Sequence, residues 1–201
     1  MGNDGLAMGS LAFVAGSGFD HALALNNPLG GAEITHWVQL PDSDSIRSLR
    51  EDSMTASICY TSLDANQSNG RLFGSPGFTF VYNAHSTPYA YGAVSDGTNH
   101  YNLGAPLPDN PMSTTDGLFH CQAIVVDREA SIIRHHVDGV LTQEASISEL
   151  GAIDLGNLVV GGTKPHDSYG ARMTNVEDLR IWRGALSAVD LQSHYHELIG
   201  E

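Results

Sequence analysis

FHCQAIVVDREASIIRHHVDGVLTQ (Phe119–Gln143) decides the fold. Two β-prone runs, Phe119–Val126 and Ser131–Val137, are separated by the turn Asp127–Ala130. Asp138-Gly139 then stands between the second run and VLTQ. An Asp-Gly pair between β-prone runs specifies a two-residue hairpin. Both central residues of a type I′ turn need positive φ, which Asp tolerates and Gly adopts freely. Three successive antiparallel strands are therefore expected here.

Downstream, NLVVGG (Asn157–Gly162) and VEDLRIW (Val176–Trp182) read as further strands. Strict alternation puts Val176, Asp178, Arg180 and Trp182 on one face and Glu177, Leu179 and Ile181 on the other. A carboxylate at Glu177 beside two apolar residues then needs a partner, with Arg172 or Arg180 as candidates. Ser187 is placed to cap a final helix. Its hydroxyl can accept from the amide of Asp190, whose carboxylate can answer. Leu191, Tyr195 and Leu198 form an apolar stripe on that helix. Upstream, strands are expected at 10–15, 21–25, 33–40, 53–61, 70–74, 78–82, 88–94 and 99–103, and a helical turn at Ser45–Arg50. Pro106, Pro108 and Pro111 make Gly104–Gly117 a surface loop.

The chain has 201 residues, a normal size for one β-sandwich domain spanning 1–201. Residues 1–30 are expected to form an N-terminal arm or an extra edge strand. Its 22 glycines fit a turn-rich fold. The charge is acidic, 23 Asp plus Glu against 9 Lys plus Arg, net −14. That opposes nucleic-acid binding through phosphates, which needs clustered cations. It also opposes an anionic membrane surface. No run of apolar residues is long enough to span a bilayer, so no membrane insertion is expected. MGNDGLAMGS has no basic region followed by an apolar segment, so no secretory signal is read there. The expected location is an extracellular surface or a virion.

In order, Phe119-His120-Cys121, His136-Val137-Asp138-Gly139, Leu158-Val159-Val160-Gly161, Glu177–Trp182 and Ala185-Leu186-Ser187 form a recognisable succession. It resembles the laminin-G-like and pentraxin-like branch of the concanavalin A-like lectin and glucanase superfamily. His36–Leu49 and Met54–Asp64 resemble that family's first strands. The resemblance implies an all-β, concanavalin A-like jelly-roll β-sandwich with a short C-terminal helix. It also implies a calcium option. Asp167-Ser168-Tyr169-Gly170 is similar to the core of the pentraxin calcium loop, and Asp64, Asn66 and Asn69 occupy the comparable second loop. Lys164 and Pro165 depart from that pattern, and an Asp-Ser turn is the alternative. Cys59 and Cys121 both fall in expected strands. Two buried thiols are one reading. The bridge that the pentraxin resemblance implies is the other, and both stand open.

Catalysis finds little support. The endoglucanase branch carries Glu-x-Asp-x-x-Glu or Glu-x-Asp-x-Glu on one strand, and neither occurs. His135-His136 and His194/His196 lack a shared face, and no zinc spacing is present. Solvated or packed histidines are expected. Tyr82, Tyr89, Tyr91 and Tyr101, near Asn residues, are the candidate ligand-binding rings, because exposed aromatics stack on sugar faces. Core packing is the competing role for them. The expected function is a non-catalytic surface recognition or docking module for a glycan or protein, working as a homo-oligomer or within a larger assembly. A virion structural or decoration protein without a glycan ligand is the alternative. A polysaccharide-active enzyme with an unrecognised site is the second alternative.

Overall fold

The computed structural model describes residues 6–8, 11–14, 16, 21–27, 34–63, 70–82, 90–104, 114–164 and 168–200. In chain order the strands are β1 (Leu6–Met8), β2 (Ala12–Val14), β3 (Ala22–Leu25), β4 (Trp37–Gln39), β5 (Met54–Ser62), β6 (Arg71–Ser75) and β7 (Phe78–Val81). They continue as β8 (Tyr91–Ser95), β9 (His100–Leu103), β10 (Phe119–Asp127), β11 (Ile132–Val137), β12 (Val140–Ser146), β13 (Val159–Val160) and β14 (Thr174–Arg183). The helices are α1 (Asp44–Arg47) and α2 (Ala188–Ile199). Sheet A runs β1-β4-β13-β6-β7-β8-β9 and sheet B runs β12-β11-β10-β5-β14-β3-β2. This is the all-β, concanavalin A-like jelly-roll sandwich with its short C-terminal helix. The first thirty residues supply edge strands to both sheets: β1 pairs with β4, while β2 and β3 extend sheet B beyond β14.

Alternation builds the core. Ile58 and Tyr60 on β5, Phe78 and Phe80 on β7, and Ile124 on β10 are sealed between the sheets. The hairpin between β11 and β12 has φ 51° at Asp138 and 75° at Gly139, as a type I′ turn requires. Gly139 is needed twice over, since a Cβ there would meet Gln192 Cα of α2 at 2.8 Å.

β14 departs from strict alternation. Val176 opposes Tyr60 while Asp178 opposes Cys59, so Glu177 is the extra residue of a β-bulge. Val176 consequently joins Leu179 and Ile181 on the core side, and Asp178, Arg180 and Trp182 face outward. Glu177 is not stranded among apolar groups: Thr61 Oγ1 donates to its Oε1 at 2.8 Å.

Cys59 and Cys121 lie directly opposite each other on β5 and β10 and form a disulfide. Above them α2 crosses the outer face of sheet B. Leu198 and Tyr195 pack with Phe119 and the two cysteines, and Leu191 packs with Ala123, Val125 and Leu186. The capping box is present: Asp190 N donates to Ser187 Oγ at 3.2 Å, and Ser187 N donates to Asp190 Oδ2 at 3.1 Å. Gly200 ends the helix in the left-handed region. Ser187→Ala is expected to cost about 1 kcal/mol of folding free energy through the lost cap. Urea denaturation should show a lower midpoint with an unchanged slope.

Candidate functional site

α2 lies across the outer face of sheet B, and the outer face of sheet A presents the second broad surface of the sandwich. Phe78, Phe80, Val94 and Leu103 point inward, so their neighbours point out. One registered row runs Gln39, Val159, Gly74, Thr79, Ala93 and Asn102 across six strands. The adjacent row aligns Arg71, Val81 and Tyr91. Tyr91 is half-buried, and its hydroxyl donates to Asn102 Oδ1.

Beside these rows lies a polar cleft of about 400 Å³ lined by Arg71, Ser75, Pro76, Thr79, Thr163 and Lys164. Arg71 Nη1 donates to Thr163 Oγ1 at 3.2 Å, and its guanidinium lies 5.5 Å from the Tyr169 ring centroid. Ser75 Oγ donates to the Asp154 carbonyl at 2.5 Å. Thr79 Oγ1 is buried without a hydrogen-bond partner among the described residues. Gly74 keeps this floor open: a Cβ there would meet Phe78 O at 2.3 Å and Thr79 Oγ1 at 2.8 Å. In a chain with only 9 Lys plus Arg, two cations on one cleft are a notable concentration. The cleft offers donors and positive charge.

The candidate tyrosines separate. Tyr91 faces outward from sheet A. Tyr82 is completely buried, with its hydroxyl against the backbone of Arg172, which removes its ring from any surface site. Tyr101 opposes Val94 and packs against the core from the inner face of β9. Tyr89 lies outside the described residues, as do Asp64, Asn66, Asn69 and Asp167 of the calcium reading. Arg71, Thr79 and Lys164 were missed by sequence reasoning. Lys164 was visible only as a departure from the calcium-loop pattern.

Two further clefts lie among the described residues. An apolar one of about 430 Å³ lies between Leu40, Ile46 and Leu49 on one side and Leu179, Ile181 and Arg183 on the other. One of about 410 Å³ beside the start of α2 is lined by residues including Asp127, Arg134 and His136. No more than one carboxylate lines any of the three clefts. Facing carboxylates, which glycoside hydrolysis needs, are not assembled in them.

The titratable groups with strong shifts are structural. His135 is sealed between the sheets. Its Nδ1 lies 2.7 Å from Thr142 Oγ1 and its Nε2 3.3 Å from Gln122 Oε1, while Gln122 Nε2 donates to Tyr60 OH at 2.7 Å. Burial, aided by His136, pushes the His135 imidazole down to about 3, so it stays neutral. Burial also raises the Tyr60 phenol.

His120 behaves oppositely. Its Nδ1 lies 2.8 Å from Asp138 Oδ2 and its Nε2 3.0 Å from Asp116 Oδ1. Burial alone lowers its pKa, but the hydrogen bonds and charges of Asp138 and Asp116 together outweigh it and leave the imidazole raised. Asp116 is lowered: burial opposes this, and the Leu118 amide with His120 prevails. Asp138 Oδ1 also accepts from Cys121 N at 2.8 Å. The clamp thus joins the segment ahead of β10 to the β11–β12 hairpin.

The sheet order and terminal helix define the class, a concanavalin A-like jelly-roll sandwich. Among solved structures the chain is similar to the binding domain of Paraclostridial Mosquitocidal Protein 1, with TM-score 0.75 and 11% identity, covering 97% of this chain and 47% of that one. It is also similar to the binding domain of Botulinum neurotoxin DC in complex with rat synaptotagmin II, with TM-score 0.72, 11% identity and coverages of 97% and 46%. The receptor binding domain of botulinum neurotoxin C/D mosaic serotype gives TM-score 0.71, 14% identity and coverages of 96% and 46%. The chain spans about half the length of these domains. At such identities the likeness is one of fold. No protein-family model matches the chain, and no curated protein sequence does.

The His120 clamp has a pH signature. Its raised imidazole contributes stability fully below the ordinary value of 6.5, and loses it as pH rises through the folded value. Asp116, held low, contributes above its ordinary value of 3.8 and loses that contribution as pH falls. His120→Ala is expected to cost about 2 kcal/mol at pH 6, from two charge-assisted hydrogen bonds and an uncompensated Asp138. It should also flatten the loss of stability on the alkaline side of 6.5, measured by urea denaturation across pH.

Proposed function

We propose that the chain is a non-catalytic recognition module that engages a glycan or glycosylated protein through the outer face of sheet A. The observation that carries this reading is the convergence on that face of Tyr91, Asn102 and the Arg71–Lys164 cleft on one rigid sheet. An outward aromatic ring can stack on a pyranose. Asn102, the Thr163 hydroxyl and the cations can take its hydroxyl and carboxylate oxygens. The binding-domain descriptions of the structural neighbours support a recognition role, and one of those domains is described in complex with synaptotagmin II. That partner belongs to the neighbour. Display in several copies on a surface or particle would raise the avidity of a shallow, weak site. Calcium at Asp64, Asn66, Asn69 and Asp167 is retained as an optional part of this reading.

A glycan array probed with and without calcium tests it. Binding to at least one saccharide class is expected. Tyr91→Ala should weaken it about tenfold, the loss of roughly 1.4 kcal/mol of stacking, with little change in folding midpoint. Absence of binding to glycans and to glycoprotein-coated surfaces, or a Tyr91→Ala variant that binds like wild type, would sink the proposal.

A further inference from the structure

On the other side of the sandwich, under α2, a second row carries different chemistry. Asp178 opposes Cys59 across β14 and β5, and Cys59 opposes Cys121 across β5 and β10. All three side chains leave the outer face of sheet B toward the helix. His194 comes down onto them from α2. Its Nε2 lies 3.4 Å from Asp178 Oδ2, with side-chain exposures of 9% and 14%. Cys59 Sγ, a carboxylate oxygen of Asp178 and a ring nitrogen of His194 all lie within 4.8 Å of one another.

The His194–Asp178 pair is held by charge and proximity rather than by a hydrogen bond. His194 Nε2 and Asp178 Oδ2 are both buried, and neither has a hydrogen bond of acceptable geometry. A buried polar atom left without a hydrogen bond calls for an explanation. Arg180 Nε lies 3.1 Å from Asp178 Oδ1 and 3.0 Å from Oδ2, so a metal at Oδ2 would share that carboxylate with the guanidinium. The imidazole is held from the side by the edge of Trp182, with ring centroids 5.4 Å apart at 81°. Phe119, Tyr195 and Leu198 close the row from solvent.

Sulfur, imidazole nitrogen and carboxylate oxygen are the donor set zinc accepts, often with three protein ligands and a fourth position open. Two ligand atoms on a tetrahedral zinc stand roughly 3.3–3.6 Å apart, from bond lengths of about 2.0–2.3 Å. The His194–Asp178 separation of 3.4 Å already has that value. What withholds the third ligand is the disulfide, because Cys59 Sγ bonded to Cys121 offers no thiolate.

We propose that Cys59, Asp178 and His194 form a redox-gated zinc site, with Cys121 as its gate. A thiol reductant delivers two electrons and two protons to the S–S bond and leaves as its own disulfide. Zinc then binds the Cys59 sulfur, whose thiol proton passes to solvent, together with His194 Nε2 and the Asp178 carboxylate. A disulfide oxidant takes the two electrons, the Cys121 thiol proton and one proton from solvent, leaves as two thiols, and so rebuilds the Cys59–Cys121 bond and expels the metal. The two states are alternative staples. The disulfide ties β5 to β10, and the metal ties β5 and β14 to α2.

Cobalt substitution reads the site directly, because a thiolate ligand gives a sulfur-to-cobalt charge-transfer band that histidine and carboxylate ligands do not. Wild-type protein reduced with a thiol and desalted without oxygen should bind one equivalent of zinc and show that band with cobalt. Oxidised protein should show neither. Cys121→Ser, in which the gate cannot close, should bind zinc without any reductant. In that background His194→Ala and Asp178→Ala should each weaken zinc by at least the ~10–100-fold that loss of an outer-shell partner costs. Circular dichroism checks folding, and Cys121→Ser keeps the test alive if reduced wild type unfolds. Lack of the band in both reduced wild type and Cys121→Ser overturns the proposal. So does a band that His194→Ala leaves unchanged. Unfolding of both open forms overturns it too, since the site requires a folded reduced state.

Discussion

Sliding β10 by one residue against β5 would exchange every side chain between the core and the outer face, because strand side chains alternate with period two. The observed register sets Cys59 against Cys121 on the outer face and Ile58 and Tyr60 with Gln122 and Ile124 toward the interior. The covalent bond holds that register at one point. β5 is also paired along its length with β14, so the same register fixes where Asp178, Arg180 and Trp182 emerge beneath α2. Both the inner polar chain and the outer row under the helix follow from this one alignment.

The bulge at Glu177 shows what the alignment demands. Upstream of it Val176 must face the core opposite Tyr60, and downstream Leu179 and Ile181 must do so as well. An even number of residues cannot satisfy both ends, and the extra residue resolves the conflict. The residue extruded is a glutamate, which Thr61 can satisfy, so the defect carries no buried unpaired charge. Sheet A answers the same geometry with small residues: at Gly92, a Cβ would strike Ile124 Cδ1 at 2.7 Å. Interior space between β8 and β10 is thus set by the absence of a side chain.

What was legible in the sequence is what local chemistry determines. The Asp138-Gly139 turn and the Ser187–Asp190 box depend on residues two or three apart, and both form as their types require. The succession of strands and the sandwich with a terminal helix were legible for a related reason, since periodicity survives in each segment alone. The bulge was not legible, because only the pairing with β5 reveals that the two halves of β14 are out of phase. Tyr82 looked like a candidate ring because aromatic residues serve cores and sugar sites equally well in strands. Its burial depends on where Arg172 closes over it. Lys164 and Arg71 are 93 residues apart in number, and only the folding of the segment after β13 onto β6 puts them on one cleft.

The two outer faces divide the work between them. Sheet B spends its outer face on α2, whose apolar stripe, His120–Asp138 neighbour and disulfide row make it a stabilising surface. The most shifted histidine, His135, is sealed between the sheets and held neutral, so its work is structural. On the outer face of sheet A, Val159 and Val81 are buried, while Tyr91 is half-exposed, Asn102 is exposed, and Lys164 beside them is exposed with no carboxylate partner among the described residues. Of the two cations on the cleft, Arg71 is engaged by Thr163 and the Tyr169 ring, whereas Lys164 is exposed. The exposed ones among these side chains hold little within the molecule, and the proposed recognition role of sheet A rests on them.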